Sequence, residues 1–167
     1  MRQVWIEHAK VSGHATKMRR SVATVTDIAA FAELSAQDHG LVVLNTLRGD
    51  GSIQSSVVNA GVMPHPKTGE PVVALVAIGA TRKLRNLRAD PRTSVVAHAG
   101  WQWLTVEGTA EVIGADDTDP ETLRVLLRNV FTAAGGTHDD WDTYDQVMLE
   151  ERRTAVLLTP QVLRSSG

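Results

Sequence analysis

Five cationic side chains, Arg82, Lys83, Arg85, Arg88 and Arg92, crowd the stretch "GATRKLRNLRADPR" at residues 79–92 of a 167-residue chain whose formal net charge is −2. A solvated helix face, a nucleic-acid patch and a pocket for a phosphorylated ligand each call for such a cluster. At about 100° per residue, Arg82, Arg85 and Arg88 spread across one side of a helix while Lys83 points away from them. Arg85 and Arg88 lie toward the C-terminal end, where cations complement the helix dipole by ~0.3–1 kcal/mol each and need no ligand. Thr81, Arg82 and Lys83 lie in the first turn, where the dipole opposes a cation. An anion there would meet backbone N–H groups, a hydroxyl and two cations. The bland alternative is a solvated helix end. Nucleic-acid binding is disfavoured, because the cations are dispersed, no aromatic residue lies among them and the whole chain is slightly acidic.

Two other groups of residues have chemical potential. Gln54, Ser55, Ser56 and Asn59 interrupt an otherwise apolar strand with small polar side chains. Strand alternation puts Gln54 and Ser56 on one face, and such a strand either lets a ligand approach its backbone or is exposed. Trp101 and Trp103 are expected on a common strand face, as an apolar wall for a planar ring or as core or dimer interface. Conventional catalytic signatures are missing. The six histidines lack metal-site spacing, and no nucleophile elbow, GxGxxG or Walker A loop occurs. "HDDWD", residues 138–142, reads as acidic residues opening a helix. No catalytic residue and no metal ligand is nominated, so any redox chemistry would come from a cofactor.

The elements that must position these residues follow from patterning. Residues 1–22 lack periodicity and are expected to form an arm, with a single domain over 23–167. "TVTDIAAFAELSAQDHG" reads as an amphipathic helix capped by Thr26 and stopped by Gly40. "LVVLNTLRGDGSIQSSVVNAGVM" reads as two strands around a Gly-Asp-Gly turn, and "VVALVAI" as a buried strand. Leu84 and Leu87 anchor the basic helix, which Pro91 ends. "TSVVAHA" and "WQWLTVEGTAEVIG" read as strands, "DDTDPETLRVLLRNVFTAAGG" and "THDDWDTYDQVMLEERR" as helices, and "TAVLLTP" as a last strand. The sum is an antiparallel domain of roughly six strands with marginal helices, closer to a barrel than to a doubly wound sheet. The absence of cysteine excludes disulfides and thiolate sites and fits a cytoplasmic protein. No apolar run reaches the ~20 residues of a membrane span, and no secretory h-region is present.

Four segments, "TLRGDGSIQSSVVNAG" (46–61), "RKLRNLRADPRTSVV" (82–96), "WQWLTVEGTAEV" (101–112) and "HDDWDTYDQVMLEERRTAVLLTP" (138–160), give the chain its resemblance to a known family. It resembles the flavin- and deazaflavin-dependent oxidoreductases related to pyridoxamine 5′-phosphate oxidase, most of all the branch that uses coenzyme F420. The most specific piece is Lys-x-Arg-Asn-Leu-Arg-x-Asp-Pro-Arg, Lys83 to Arg92. The resemblance implies a split β-barrel, mainly β with flanking helices, and a homodimer with a cofactor between two barrels. It implies that Gln54, Ser55, Ser56 and Val57 line the coenzyme, with Ala77, Ile78 and Gly79 beneath it. Lys83, with Thr81 and Arg82, would grip its phosphate, and Trp101 of a second copy would wall the ring. Similar proteins commonly carry an arginine where this chain has Thr81. The implied cofactor is coenzyme F420, with FMN as the alternative and haem in other branches. The implied reaction is hydride transfer from reduced deazaflavin to an electron-poor small molecule; an FMN oxidase or reductase and a non-catalytic cofactor-binding protein are the rival readings.

Overall fold

The structure is a computed structural model that describes the backbone of residues 19–22 and 25–166 and the side chains of 28–166. The strands are β1 (Arg19–Val22), β2 (Leu41–Leu47), β3 (Ile53–Pro64), β4 (Pro71–Ala77), β5 (Arg92–Ala99), β6 (Gln102–Ile113) and β7 (Thr154–Ser165). The helices are α1 (Val25–Ala36), α2 (Arg82–Ala89), α3 (Pro120–Ala133) and α4 (Trp141–Glu150). Every strand pairing is antiparallel, in the order β1-β7-β4-β3-β2-β5-β6, and β7 also pairs with β6. That last pairing closes β2 to β7 into a six-stranded barrel, with β1 added outside the ring along the far half of β7.

Alternation explains how the barrel is filled. Leu44 of β2, Leu75 of β4, Val95 of β5, Val106 of β6 and Val156 of β7 point inward and are fully buried. Ile28, Phe31 and Leu34 of α1 belong to the same cluster, which makes α1 a plug for the barrel. The opposite face of β4 and β7, with Val72, Ala74, Ala155 and Leu157, forms a second cluster with Leu123, Leu126, Leu127 and Val130 of α3. The periodic apolar stripe of α3 thus covers the outside of the sheet. Here Gly61 is needed for close approach: a Cβ at this position would overlap the Ala133 carbonyl of α3.

The structure departs from the sequence reading in three places. Residues 19–22, within the expected arm, pair with Val162–Ser165 as β1; the rest of that arm and residues 23–24 lie outside the described residues. Helix α1 begins at Val25, so Thr26 falls inside it rather than before it. Strand β7 does not stop at Pro160 but runs on to Ser165. Pairing with β4 ends at Leu158 and pairing with β1 begins at Val162, so Pro160 sits where one side of β7 changes neighbours. A proline lacks the N–H of a ladder and fits such a gap. On the other side, Gly108 faces Pro160 while Glu107 faces Val162, leaving Gln161 as a bulge.

α2 lies across one end of the barrel, with Leu84 and Leu87 buried as the sequence predicts. The buried Asn86 amide donates to Thr46 Oγ1 at 3.0 Å and to Gln54 Oε1 at 3.2 Å, tying α2 to β2 and β3. At its C-terminal end, Arg88 makes a bidentate pair with Asp117, at 3.1 and 2.6 Å. Asp90 adopts an extended conformation before Pro91, as a residue preceding proline should.

Gly61→Ala is expected to destabilise the fold by roughly 1–3 kcal/mol, as overpacking against backbone does, and urea denaturation measures it. A second expectation concerns acid. The hydrogen bond from Arg88 holds the Asp117 carboxyl below its ordinary 3.8. A folded-state pKa that is lowered contributes stability above the unfolded value, and that stability is lost as the pH falls through the folded one. Asp117→Asn should therefore lower Tm at neutral pH, with the difference from the parent shrinking in strong acid.

Candidate functional site

β4 ends at Ala77, and the chain turns through Ile78, Gly79 and Ala80 to reach Thr81, the N-cap of α2. Thr81 is extended, as an N-cap should be, yet its hydroxyl makes no capping bond. Its Oγ1 is buried and has no hydrogen-bond partner among the described residues. An unmet buried hydroxyl costs about 1–3 kcal/mol, so this atom is shaped for a partner. Lys83, the second residue of the helix, is half-buried and has no carboxylate among the described residues within 4 Å. Arg82 is exposed and equally unpaired among them.

Of these groups Lys83 lines a cavity of about 520 Å³ on the outer face of β3 and β4, beside α3 and α4, while Thr81 and Arg82 lie next to it in the chain without lining it. Val57, Ala77, Ile78 and Lys83 line it, joined by Phe131 of α3 and Tyr144 of α4. Its charged or ionisable lining consists of Lys83, Arg153, His39 and Tyr144; no aspartate or glutamate lines it. Tyr144 Oη donates to the Leu127 carbonyl at 3.2 Å, and burial pushes its pKa up to about 12, with Arg153 pulling the other way. It therefore stays protonated at neutral pH.

The backbone around this cavity is under constraint. Among the described residues, three non-glycine residues have positive φ: His39 at 55°, Ala80 at 57° and Arg152 at 48°. His39 lines the cavity, Ala80 directly precedes Thr81, and Arg152 directly precedes Arg153. Two of the turns are in contact, since Gly79 N donates to the Glu151 carbonyl and a Cβ on Gly79 would come within 2.5 Å of the Arg152 carbonyl. Such conformations cost of order 1–3 kcal/mol each and persist only where packing determines them.

The other residues expected to line a coenzyme are distributed along β3 and beyond. Gln54, half-buried, is held by Asn86, and Ser56 shares its inward face. Ser55 points outward and donates to Asn45 Oδ1 at 2.7 Å. Trp101 is not on a strand: Gly100, at φ 58°, and Trp101 form the two-residue turn between Ala99 and Gln102. The indole is 98% exposed, while Trp103 is half-buried, so the two do not make a common wall within one chain. Arg153, His39, Phe131 and Tyr144 were missed from the sequence. Tyr144 and Met148, at i and i+4, gave the only signal, which on its own reads as a core stripe.

The site fits an anion, on three observations: the orphan Thr81 hydroxyl, the unpaired Lys83 ammonium and a lining without carboxylates. Among the described residues no group of histidine and acidic side chains could hold a metal ion, and no helix is long and apolar enough to cross a membrane. His65 has both ring nitrogens engaged, by Glu111 and by the backbone N–H of Lys67.

The sequence profile of the pyridoxamine 5′-phosphate oxidase family matches residues 28–166. The chain belongs to that family. Its split barrel, mainly β with flanking helices, is the family's fold. Solved structures share it at low identity. A conserved hypothetical protein of Mycobacterium tuberculosis is 22% identical over 90% of this chain and 89% of its own, with a TM-score of 0.64. An F420 reductase is 18% identical over 74% of this chain and 87% of its own, with a TM-score of 0.51. A heme-binding protein of Mycobacterium smegmatis is 22% identical over 83% of this chain and 53% of its own, with a TM-score of 0.52. One fold thus serves an F420 reductase and a heme-binding protein, and at these identities the likeness speaks for fold alone.

Thr81→Val, which keeps shape and removes the orphan hydroxyl, should raise the stability of the ligand-free protein by about 1 kcal/mol. The same change should weaken binding of a phosphorylated ligand. Thermal melts with and without that ligand separate the two effects.

Proposed function

We propose that this protein is a coenzyme F420-dependent reductase that acts as a homodimer on small, electron-poor organic molecules. The observation that carries the proposal is the first turn of α2, where the orphan Thr81 hydroxyl stands two residues from Lys83, an unpaired cation that lines a cavity without carboxylates. The resemblance of Lys83 to Arg92 to the F420-using branch supports this choice of cofactor, and an F420 reductase stands among the proteins of the same fold. In this reading Lys83, Thr81 and Arg82 hold the phosphate, with the α2 dipole adding to their attraction. Val57 and Ile78 offer apolar surface beside the ring and Ser55 shares the outward face of Val57, while Gln54 and Ser56, whose side chains point inward, would border it through the backbone of β3. Reduced deazaflavin, when bound, supplies a hydride from its C5 carbon in a two-electron step.

The protein's share of catalysis is to orient that ring against an acceptor such as an unsaturated ketone, lactone or quinone-like ring, and to exclude water. No side chain needs to form a covalent intermediate. The second copy has a physical rationale: Ile53 and Val57, 64% and 67% exposed, are large apolar groups on the outward face of β3, and Trp101 stands in solvent at the β5–β6 tip. Such groups favour burial against a partner surface. Trp101 of that copy would wall the ring. The cysteine-free chain suits a cytoplasmic setting.

Titrating the protein with coenzyme F420, FMN and haem, followed by tryptophan fluorescence, tests the reading. F420 should bind most tightly, and Lys83→Ala should weaken it more than about tenfold with an unchanged melting profile. Tighter FMN or haem binding, or full affinity in Lys83→Ala, would overturn it.

A further inference from the structure

Arg153 enters the cavity from a different element than Lys83. It is the first residue after the left-handed turn at Arg152, and its N–H donates to the Met148 carbonyl at 2.8 Å, so its stem is fixed between α4 and β7. Its side chain is only 25% exposed. Nε and Nη2 both bind one oxygen of Glu151, at 2.6 and 2.5 Å. Only Nε of the five-donor guanidinium thereby makes a hydrogen bond, and Nη1 has no partner among the described residues. Glu151 does not line the cavity. The result is a guanidinium held along one edge, with its remaining donors free beside a cavity that holds no counter-charge.

The surroundings of Arg153 are aromatic. Phe131 and Tyr144 line the same cavity with ring centroids 4.9 Å apart, and Tyr144 lies close enough to Arg153 to feel its charge. Gly136 keeps the rim open to Phe131, since a Cβ there would come within 2.5 Å of the ring. A planar guanidinium matches a carboxylate through two parallel hydrogen bonds, which a lysine cannot reproduce. An adjacent pair of rings matches a flat conjugated body.

We propose that Arg153 is an anion-binding residue of a second subsite in this cavity, and that this subsite takes a planar, carboxylate-bearing molecule with its ring against Phe131, which the buried Tyr144 backs. Under the reductase reading, on which this identification rests, that molecule is the hydride acceptor. The acceptors are then conjugated carboxylic acids rather than neutral ketones or lactones. Glu151 acts as a positioning residue that orients the fork. Lys83 and Thr81 serve the other anion, on α2.

The test uses two probes of one shape, 2-naphthoate and its neutral amide 2-naphthamide, titrated calorimetrically into the full chain. The parent protein should prefer the carboxylate by more than about tenfold. Arg153→Gln should abolish that preference, and Arg153→Lys should restore only part of it. Lys83→Ala should leave it intact. Equal affinity for the two probes in the parent protein, a preference that survives Arg153→Gln, or one lost in Lys83→Ala instead would overturn the proposal. F420 binding to Arg153→Gln, measured in parallel, reports that the variant is folded. If F420 fails to bind the parent protein, the reductase reading falls, while the naphthoate preference still decides whether Arg153 is an anion site.

Discussion

Strand β7 is the constraint on which the rest depends. It pairs with β4 on one side and β6 on the other, and then exchanges β4 for β1 after Pro160. The double pairing closes the sheet into a ring, in which Ile53–Asn59 of β3 is paired on its β2 side alone. The interior of that ring is filled by Leu44, Leu75, Val95, Val106 and Val156 and stoppered by α1. A barrel so packed has no room for a cofactor, so a ligand must sit on its outer wall. α3 covers part of that wall, and the cavity opens where this cover ends, between α3, α4 and the first turn of α2.

The sequence made the strands and their turns legible because they rely on local chemistry. The Gly-Asp-Gly turn, the buried run Leu41–Leu47 and the Leu84–Leu87 anchor each act within a few residues of themselves. Lys83 was legible for the same reason, since helical geometry alone turns it away from Arg82, Arg85 and Arg88. What stayed hidden depends on chain partners remote in sequence. Pro160 reads as a strand stop until β4 and β1 are known to leave a gap beside it. Trp101 reads as a strand residue until Gly100 turns the chain in front of it. Arg153 reads as one of two arginines after a helix, and only pairing of Thr154 with Ala77 brings it to the cavity.

Charge bookkeeping over the described residues sharpens the site. Arg88, Arg92, Arg124, Arg128, Arg152 and Arg164 each have a carboxylate within 4 Å. Most of these pairs are exposed, and their contribution to stability is small. Together with Arg153 on Glu151, they nevertheless pair most of the arginines among the described side chains. Arg48, Arg82, Lys83 and Arg85 have no such partner among the described residues, and of these Arg82 and Lys83 lie in the helix turn where the dipole already opposes a cation. In a chain that is acidic overall, unpaired cations at that point are a local choice of sequence, and an anionic ligand would supply the missing charge.

The distribution of strain points the same way. Left-handed conformations at His39, Ala80 and Arg152 each cost free energy that glycine would avoid. Glycine would also leave these turns free to move in the ligand-free protein. The hydrogen bond from Gly79 to Glu151 and the contact of Gly79 with Arg152 lock the β4–α2 and α4–β7 turns together. Those turns carry Thr81 toward one end of the cavity lining and Arg153 toward another. Locking them holds both polar groups in place before a ligand arrives, so binding need not order them. Part of the fold's stability is thereby held in reserve as preorganisation, and the orphan hydroxyl of Thr81 is the clearest atom at which a ligand would release it.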